Sequence, residues 1–373
     1  MKHHQITVKI MAFLVFGLTM QSSLFAQFHT LNIPQVSPKI QESQMLGVTK
    51  ITIDYSSPAL NGRDVWNNSG IIPQQGNPIP WRAGANMATT IEFSTDVKIE
   101  GQLLKAGKYG FHIIPKDDTY ELLFAHNYDQ WGSYYLDVEK DVSLRVSVLP
   151  ESCSKSEQLD YEFLNRTENT LVIGLEWGEK RIPFKVEVDL NETVVNSFRN
   201  ELRGINTYHW QSWNDAALWC LDHNTNLEEA LQWVDRSING GYGGFAADRN
   251  LVNTSTKVRL LKRLNRIDDM NKVISDAKDI HATADEANGF TAFLLQNGFY
   301  EQALDYCNQF LKNNATVWFM ELNRGISHYF IGNSKMALKD VKNSLKTAPE
   351  QFQSRLKEII VEIENKTYKL PGS

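Results

Sequence analysis

The apolar residues of this chain change period near residue 190, and that change decides what the chain can fold into. Between residues 48 and 188 they recur at every second position. Stretches 48–55, 90–94, 97–99, 109–114, 120–125, 144–149, 159–164, 170–177 and 182–188 read as short strands, with stops at Pro58, Pro115, Pro150, Asn165 and Gly178. Alternation puts one face of a strand on a core and the other in water. Short strands in succession, with no helical stretch between them, predict an antiparallel β-sandwich or jelly-roll-like domain. The loop Lys105-Ala106-Gly107-Lys108 reads as the link that brings one strand back on another.

From Asn191 onward the period is helical. Segment 192–202 reads as a helix, Trp210, Trp213, Ala217, Leu218 and Leu221 share one helical face, and 227–238 is amphipathic behind Asn226 as N-cap. This half also repeats itself. Asn297-Gly298-Phe299-Tyr300-Glu301-Gln302-Ala303-Leu304 aligns with Ile331-Gly332-Asn333-Ser334-Lys335-Met336-Ala337-Leu338, and the offset from Ala303 to Ala337 is the tetratricopeptide period. Gly325 and Pro349 stand at equal distances before and after Ala337, where that repeat places a helix-packing residue and a terminating proline. Looser units begin at Leu227 and Leu264. Helix pairs of this kind bury their apolar faces only against neighbours, which predicts a stacked α-helical repeat domain. At 373 residues two domains are expected, and the reading is 27–190 for the β domain and 191–373 for the helical one, with no flexible linker between.

The segment 1–26 reads as neither. Lys2, His3, His4 and Lys9 precede an apolar run over 10–20 that is followed by a small residue, Ala26. That is the pattern of a signal peptide cut after Ala26. The run is shorter than the roughly 20 residues that span a bilayer, so no stable membrane span is expected, and the protein is expected in the periplasm or outside the cell. In such an oxidising compartment Cys153, Cys220 and Cys307 allow at most one disulfide. Cys220 and Cys307 sit in helical patterns, and the reading favoured is buried free thiols rather than a pair. A net charge of −6 and a pI near 5.9 give no electrostatic ground for nucleic-acid binding.

Three groups of residues are candidates for a site. Trp81, Arg82 and Asn86 follow the Gly/Pro-rich loop 61–80, read as one wall of a surface site, and offer a ring, a guanidinium fork and an amide to a small polar ligand. The plainer reading makes Trp81 core and pairs Arg82 with Glu92. His112 and His126 fall near Asp117, Asp118 and Asp129, yet no paired-histidine metal motif exists, so no metal is expected. Tyr128, Trp131, Tyr134 and Tyr135 cluster around Gly132, either as a platform for sugar rings or peptides or as packing. Gly240 to Gly244 lacks the Gly-Lys-Ser/Thr of a phosphate loop, and the basic run Lys257, Arg259, Lys262, Arg263, Arg266 reads as a solvated helix face. No Gly-x-Ser-x-Gly or Ser-x-x-Lys motif is present. No cofactor is expected.

With those residues in view, the chain resembles the bacterial family called domain of unknown function 2911 over residues 35–190. The resemblance rests on 48–58, on Gly62-Arg63-Asp64-Val65-Trp66, on Trp81-Arg82-Ala83-Gly84-Ala85-Asn86 through Thr89-Thr90-Ile91, on Ala106-Gly107-Lys108-Tyr109-Gly110 with Ile114-Pro115, on Trp131-Gly132-Ser133-Tyr134 and on 142–148, in that order. It departs at 67–76, where the family tends to read Gly-x-Leu-Val-Pro-Tyr-Gly. The helical part is similar to the tetratricopeptide-like extension of longer members. The resemblance implies an exported β-rich domain of a Bacteroidetes-type bacterium, with no assigned activity and no catalytic residues to carry over.

The function expected from all this is a non-catalytic exported binding or scaffold protein. Trp81, Arg82, Asn86, His112, Trp131 and Tyr134 would form its ligand site, and the helical repeats would bind envelope or secreted proteins. The alternative is a hydrolase of envelope or dietary polymers, with His112, His126 or Glu92 as acid/base groups.

Overall fold

A computed structural model describes residues 34–241, 245–314 and 317–371. The expected signal peptide lies outside the described residues, as do residues 242–244 of the glycine-rich loop. Ten strands come first, β1 (Lys39–Leu46), β2 (Thr49–Ser56), β3 (Thr89–Phe93), β4 (Val97–Ile99), β5 (Gln102–Leu104), β6 (Gly107–Pro115), β7 (Tyr120–Ala125), β8 (Val142–Val148), β9 (Glu151–Leu164) and β10 (Thr170–Glu187). They form a six-stranded sheet in the order β1-β2-β3-β6-β7-β8 and a four-stranded sheet in the order β5-β4-β10-β9, with every pairing antiparallel. The sheets pack face to face. Phe111 and Phe124 of one meet Phe184 of the other at 5.4 and 5.8 Å between ring centroids, and Tyr55 meets Tyr161 at 4.8 Å. The expected antiparallel sandwich is the fold observed.

Several local expectations change. β1 has no alternating apolar pattern, because it is an edge strand whose residues are mostly solvated, and only its register with β2 reveals it. The Lys105–Lys108 loop does not close a hairpin. It carries the chain from β5 in one sheet to β6 in the other. The strand expected to stop at Gly178 continues as one 18-residue element, because register shifts at Glu176 to Lys180 absorb the glycine as a bulge. Loop 61–80 is mostly exposed but anchored, with Val65 and Ile72 buried and the Gln74 amide donating to the carbonyls of Trp66 and Ile72. Its Asn61, Arg63 and Gly70 line a cavity beside Trp81.

The outer face of the six-stranded sheet matters most for the site. Alternation turns Phe111 inward and His112 outward, and it turns Phe124 inward and Leu123 outward. His112 and Leu123 are nevertheless fully buried. The segment between β7 and β8, residues 126–141, folds back over them. An outer face that would normally meet water is thus roofed, and the roof's own outer surface becomes the exposed one.

Ten α-helices follow among the described residues, α1 (Leu190–Glu201), α2 (Trp210–Asp222), α3 (Leu227–Asn239), α4 (Leu251–Arg263), α5 (Ile267–Asp276), α6 (Ala284–Gln296), α7 (Tyr300–Asn313), α8 (Trp318–Phe330), α9 (Ser334–Thr347) and α10 (Glu350–Glu364). One continuous apolar cluster runs through them, separate from the sandwich core. The repeat is visible in its parts. Gly298 and Gly332 have φ of 82° and 86° just past the ends of α6 and α8, the left-handed conformation that lets the chain turn into the next helix. A Cβ on Gly325 would sit 2.8 Å from Val341 Cγ2, so α8 and α9 touch backbone to side chain there. Asn226 precedes α3 in a left-handed conformation and makes no side-chain cap. Asp340 is buried and held by both arms of Arg324 at 2.7 and 2.8 Å. Cys220 and Cys307 are buried free thiols, pushed up by burial to about 11 and about 12, and Cys153 is half-buried and free. No helix of the described residues is long and apolar enough to cross a membrane.

Candidate binding site

The segment Trp81–Asn86 is a knot that joins both sheets. Trp81 exchanges backbone hydrogen bonds of 2.8 Å with Ile113 of β6. Its ring is buried, stacked on Trp177 of the opposite sheet at 6.1 Å with an 11° interplanar angle and set edge-on to Trp66 at 5.8 Å. Trp81 is therefore core, and the free stacking surface expected of it is not there: its ring is taken up by Trp66 and Trp177. Ala83 and Asn86 both have left-handed backbones, φ 50° and 60°, which costs a non-glycine residue of order 1 kcal/mol each. Tertiary bonds hold them there. The Ala83 carbonyl accepts from Thr89 Oγ1 at 3.0 Å and from the Tyr161 hydroxyl at 2.8 Å, and the Ala85 N–H donates to the Ser56 carbonyl at 3.1 Å. Between them, a Cβ on Gly84 would come within 2.7 Å of Thr89 Oγ1.

Arg82 points the other way, into the roof. Its guanidinium donates to the Asn86 carbonyl, lies against Gly132 and sits 5.7 Å from the Tyr134 ring. The anticipated partner Glu92 is elsewhere, exposed on β3 opposite Lys108. The Asn86 carbonyl also accepts from the Gly132 N–H at 3.1 Å, and its side-chain amide donates to the Ser37 carbonyl at 3.3 Å. Met87 and Trp131 form an antiparallel bridge, and the Ala88 N–H donates to the Gln130 carbonyl at 3.0 Å. Arg82 and Asn86 thus serve as the pins that fasten residues 128–135 to the sheet.

His112 lies under that roof. Its Nδ1 is 2.7 Å from Ser133 Oγ, its Nε2 is buried without a partner, and both residues are essentially inaccessible. Burial, reinforced by the positive charge of Arg82, holds the ring down at about 4, so it stays neutral at ordinary pH. A serine beside a histidine suggests nucleophilic catalysis, but the chemistry also needs an orienting group on the second nitrogen and an open nucleophile. This pair has neither. The other acid/base candidates are not gathered with it. Glu92 sits opposite Lys108, four residues and so about 13 Å along β6 from His112. His126 is exposed at the far end of β7, 3.6 Å from Asp141. Among the described residues no cluster of three or more His, Cys, Asp or Glu could hold a metal.

What the roof presents to solvent is aromatic. Trp131 is 54% exposed, Tyr134 62% and Tyr135 77%, with Tyr128 and Met87 beside them. Next to this surface is a recess of about 220 Å³ lined by Met87, Tyr128, Asp54, Thr90, Lys108 and Asp129, among others. Lys108 Nζ stands 5.6 Å over the Tyr128 ring and 3.6 Å from Asp54, which Lys39 also approaches at 3.8 Å. Of the six sequence candidates, Trp131 and Tyr134 reach this surface, Arg82 and Asn86 support it, and Trp81 and His112 are interior. Sequence reasoning missed Met87, Asp54, Thr90 and Lys108. They come from β2, β3 and β6 and the turn before β3, and only the register Asp54–Thr90–Gly110 aligns them. A second cavity, about 360 Å³, opens at the edge of the Trp81–Trp177 stack beside Asn61, Arg63 and Gly70. A larger one, about 610 Å³, lies between the β4–β5 hairpin and α1.

A family model described as "Protein of unknown function (DUF2911)" matches residues 37–186. No curated protein matches the chain. Several solved structures resemble part of it. One is a tetratricopeptide repeat protein from Parabacteroides merdae, at 12% identity, TM-score 0.32, over 48% of this chain and 66% of that one. Another is Naa15/Naa10 bound to HypK-THB, at 14% identity, TM-score 0.30, over 48% of this chain and 26% of that one. The chain spans less than two thirds of either.

Proposed function

We propose that this protein, whose residues 37–186 match the DUF2911 family model, is an exported, non-catalytic binding protein. The β domain takes a ligand on the aromatic surface of segment 128–135, and the helical repeats hold a protein partner of the envelope or exterior. The observation that carries the reading is the exposure of Trp131, Tyr134 and Tyr135 on a segment pinned from below by Arg82, Asn86 and the Met87 bridge. Large rings left half or more exposed gain little for folding, whereas a preorganised aromatic face is what a binding surface requires. The charged n-region, short apolar run and small residue of segment 1–26 support export. A stack of helix pairs supports the scaffold role, because such arrays present extended surfaces. The hydrolase alternative loses its best candidate in His112, which is neutral and sealed.

The reading is tested on the purified protein by a thermal-shift screen of glycans, peptides and metals, run in parallel on wild type and a Trp131→Ala/Tyr135→Ala variant. A ligand that stabilises wild type and not the variant supports the site. A flat response from both, or an equal response, counts against it. Capture experiments with the helical surface as bait test the second role, and recovery of no specific envelope protein would sink it.

A further inference from the structure

We infer that the ligand of the aromatic surface is a neutral carbohydrate chain, stacked on Trp131 and Tyr128 with one ring seated over the recess beside them. The inference rests on the binding role proposed for segment 128–135 and goes further by assigning the chemical class.

Three observations select that class. The first is charge balance. The recess carries Lys39 and Lys108 against Asp54 and Asp129, and both lysines already approach Asp54, at 3.8 and 3.6 Å. Two positive and two negative charges leave the recess without net charge, so long-range steering of a polyanion or a polycation is absent. The second is the kind of apolar surface. It is made of separate rings, Tyr128, Trp131, Tyr134 and Tyr135, rather than a continuous aliphatic groove of the sort that receives an amphipathic helix. A ring face binds an edge-positive C–H surface through its negative quadrupole, and the apolar face of a pyranose is such a surface. The third is what borders the rings. Met87 and Tyr128 line the recess and the Met87 backbone is bridged to Trp131, so the ring surface adjoins the recess. The recess walls carry both donors and acceptors, with the Thr90 hydroxyl, the Lys108 ammonium and the Asp54 and Asp129 carboxylates. A sugar offers the matching rim, with hydroxyls that donate and accept around an apolar face. At about 220 Å³ the recess is below the usual size of a pocket for a drug-sized molecule, and suits a single ring of a longer chain that continues over Trp131.

The test is affinity electrophoresis of the full chain through gels containing neutral polysaccharides, covering α- and β-linked hexans, pentans and N-acetylhexosamine polymers, with polygalacturonate as the anionic control. Isothermal titration with the matching oligosaccharide follows. The expected result is retardation by at least one neutral polymer and not by polygalacturonate, with affinity reduced at least tenfold in both Trp131→Ala and Tyr128→Ala. Both side chains are exposed, so unchanged thermal midpoints will show that the variants are folded. Absence of retardation across the neutral panel overturns the carbohydrate assignment. If a proline-rich peptide binds instead and depends on Trp131, the carbohydrate class falls and the binding surface stands. If neither substitution alters any binding found, the surface itself is refuted.

Discussion

The guanidinium of Arg82 occupies the space in which the side chain of residue 132 would stand: a Cβ built on Gly132 comes within 2.6 Å of Arg82 Cζ. Gly132 has φ 64°. Glycine is thus favoured there twice, for the left-handed turn and because a Cβ would have to displace the end of the Arg82 side chain. Gly132→Ala is expected to lose about 2 kcal/mol of stability, roughly half from backbone strain and the rest from displacing Arg82. Urea unfolding measures it. A loss no larger than that of an ordinary surface substitution, below about 0.5 kcal/mol, would mean the arginine moves aside freely and is no pin.

Two tryptophans of the same domain should behave in opposite ways. Trp81 is buried between Trp66 and Trp177, so Trp81→Ala should cost about 3–5 kcal/mol, the range for deleting a large core side chain. Trp131 is 54% exposed, and Trp131→Ala should change stability by no more than about 0.5 kcal/mol. Equilibrium unfolding of the two variants side by side decides the matter. A large destabilisation from the Trp131 change would reassign that ring to packing.

His112 gives a signature in pH. Burial lowers it from 6.5 to about 4 in the folded protein, so between those values the unfolded chain takes up a proton that the folded one refuses. Its contribution is fully present above pH 6.5 and is lost as the pH falls towards 4, on the order of 3 kcal/mol in all. His112→Gln should lack this component, and the difference in unfolding free energy between wild type and variant should shrink or reverse on acidification. Parallel pH profiles for the two proteins would refute a neutral, buried ring.

In the helical half, Asp340 is buried and its two oxygens accept from Arg324. Arg324→Met strands a buried carboxylate and should cost about 3–5 kcal/mol. The double change Arg324→Met/Asp340→Leu should recover most of it, because a packed apolar pair replaces the ions. Helical circular dichroism during urea titration reads both. If the double variant is as unstable as the single one, the pair has a packing role that apolar side chains do not replace.

Much of this architecture was open to reading in the chain because it depends on local periodicity. The spacing of Ala303 and Ala337, with Gly298 and Gly332 at equivalent turns, specifies a repeat whichever way the units stack, since each helix pair buries its face against the next. Alternation over β6 and β7 likewise predicts a sandwich core containing Phe111 and Phe124. β1 escaped because an edge strand buries too little to leave a pattern.

The site behaved differently. The sequence by itself marked 81–86 and 128–135 as unusual, but it could not tell which of their rings face water. Period-two alternation puts His112 on a definite face of β6 without saying what covers that face, and it says nothing of Trp81, which lies outside the strands. The tertiary structure decided that, because the opposite sheet closes over Trp81 and segment 126–141 closes over His112, leaving the rings of the covering segment outermost. Exposure is a property of what packs last, and that order is set by contacts between residues far apart in the chain.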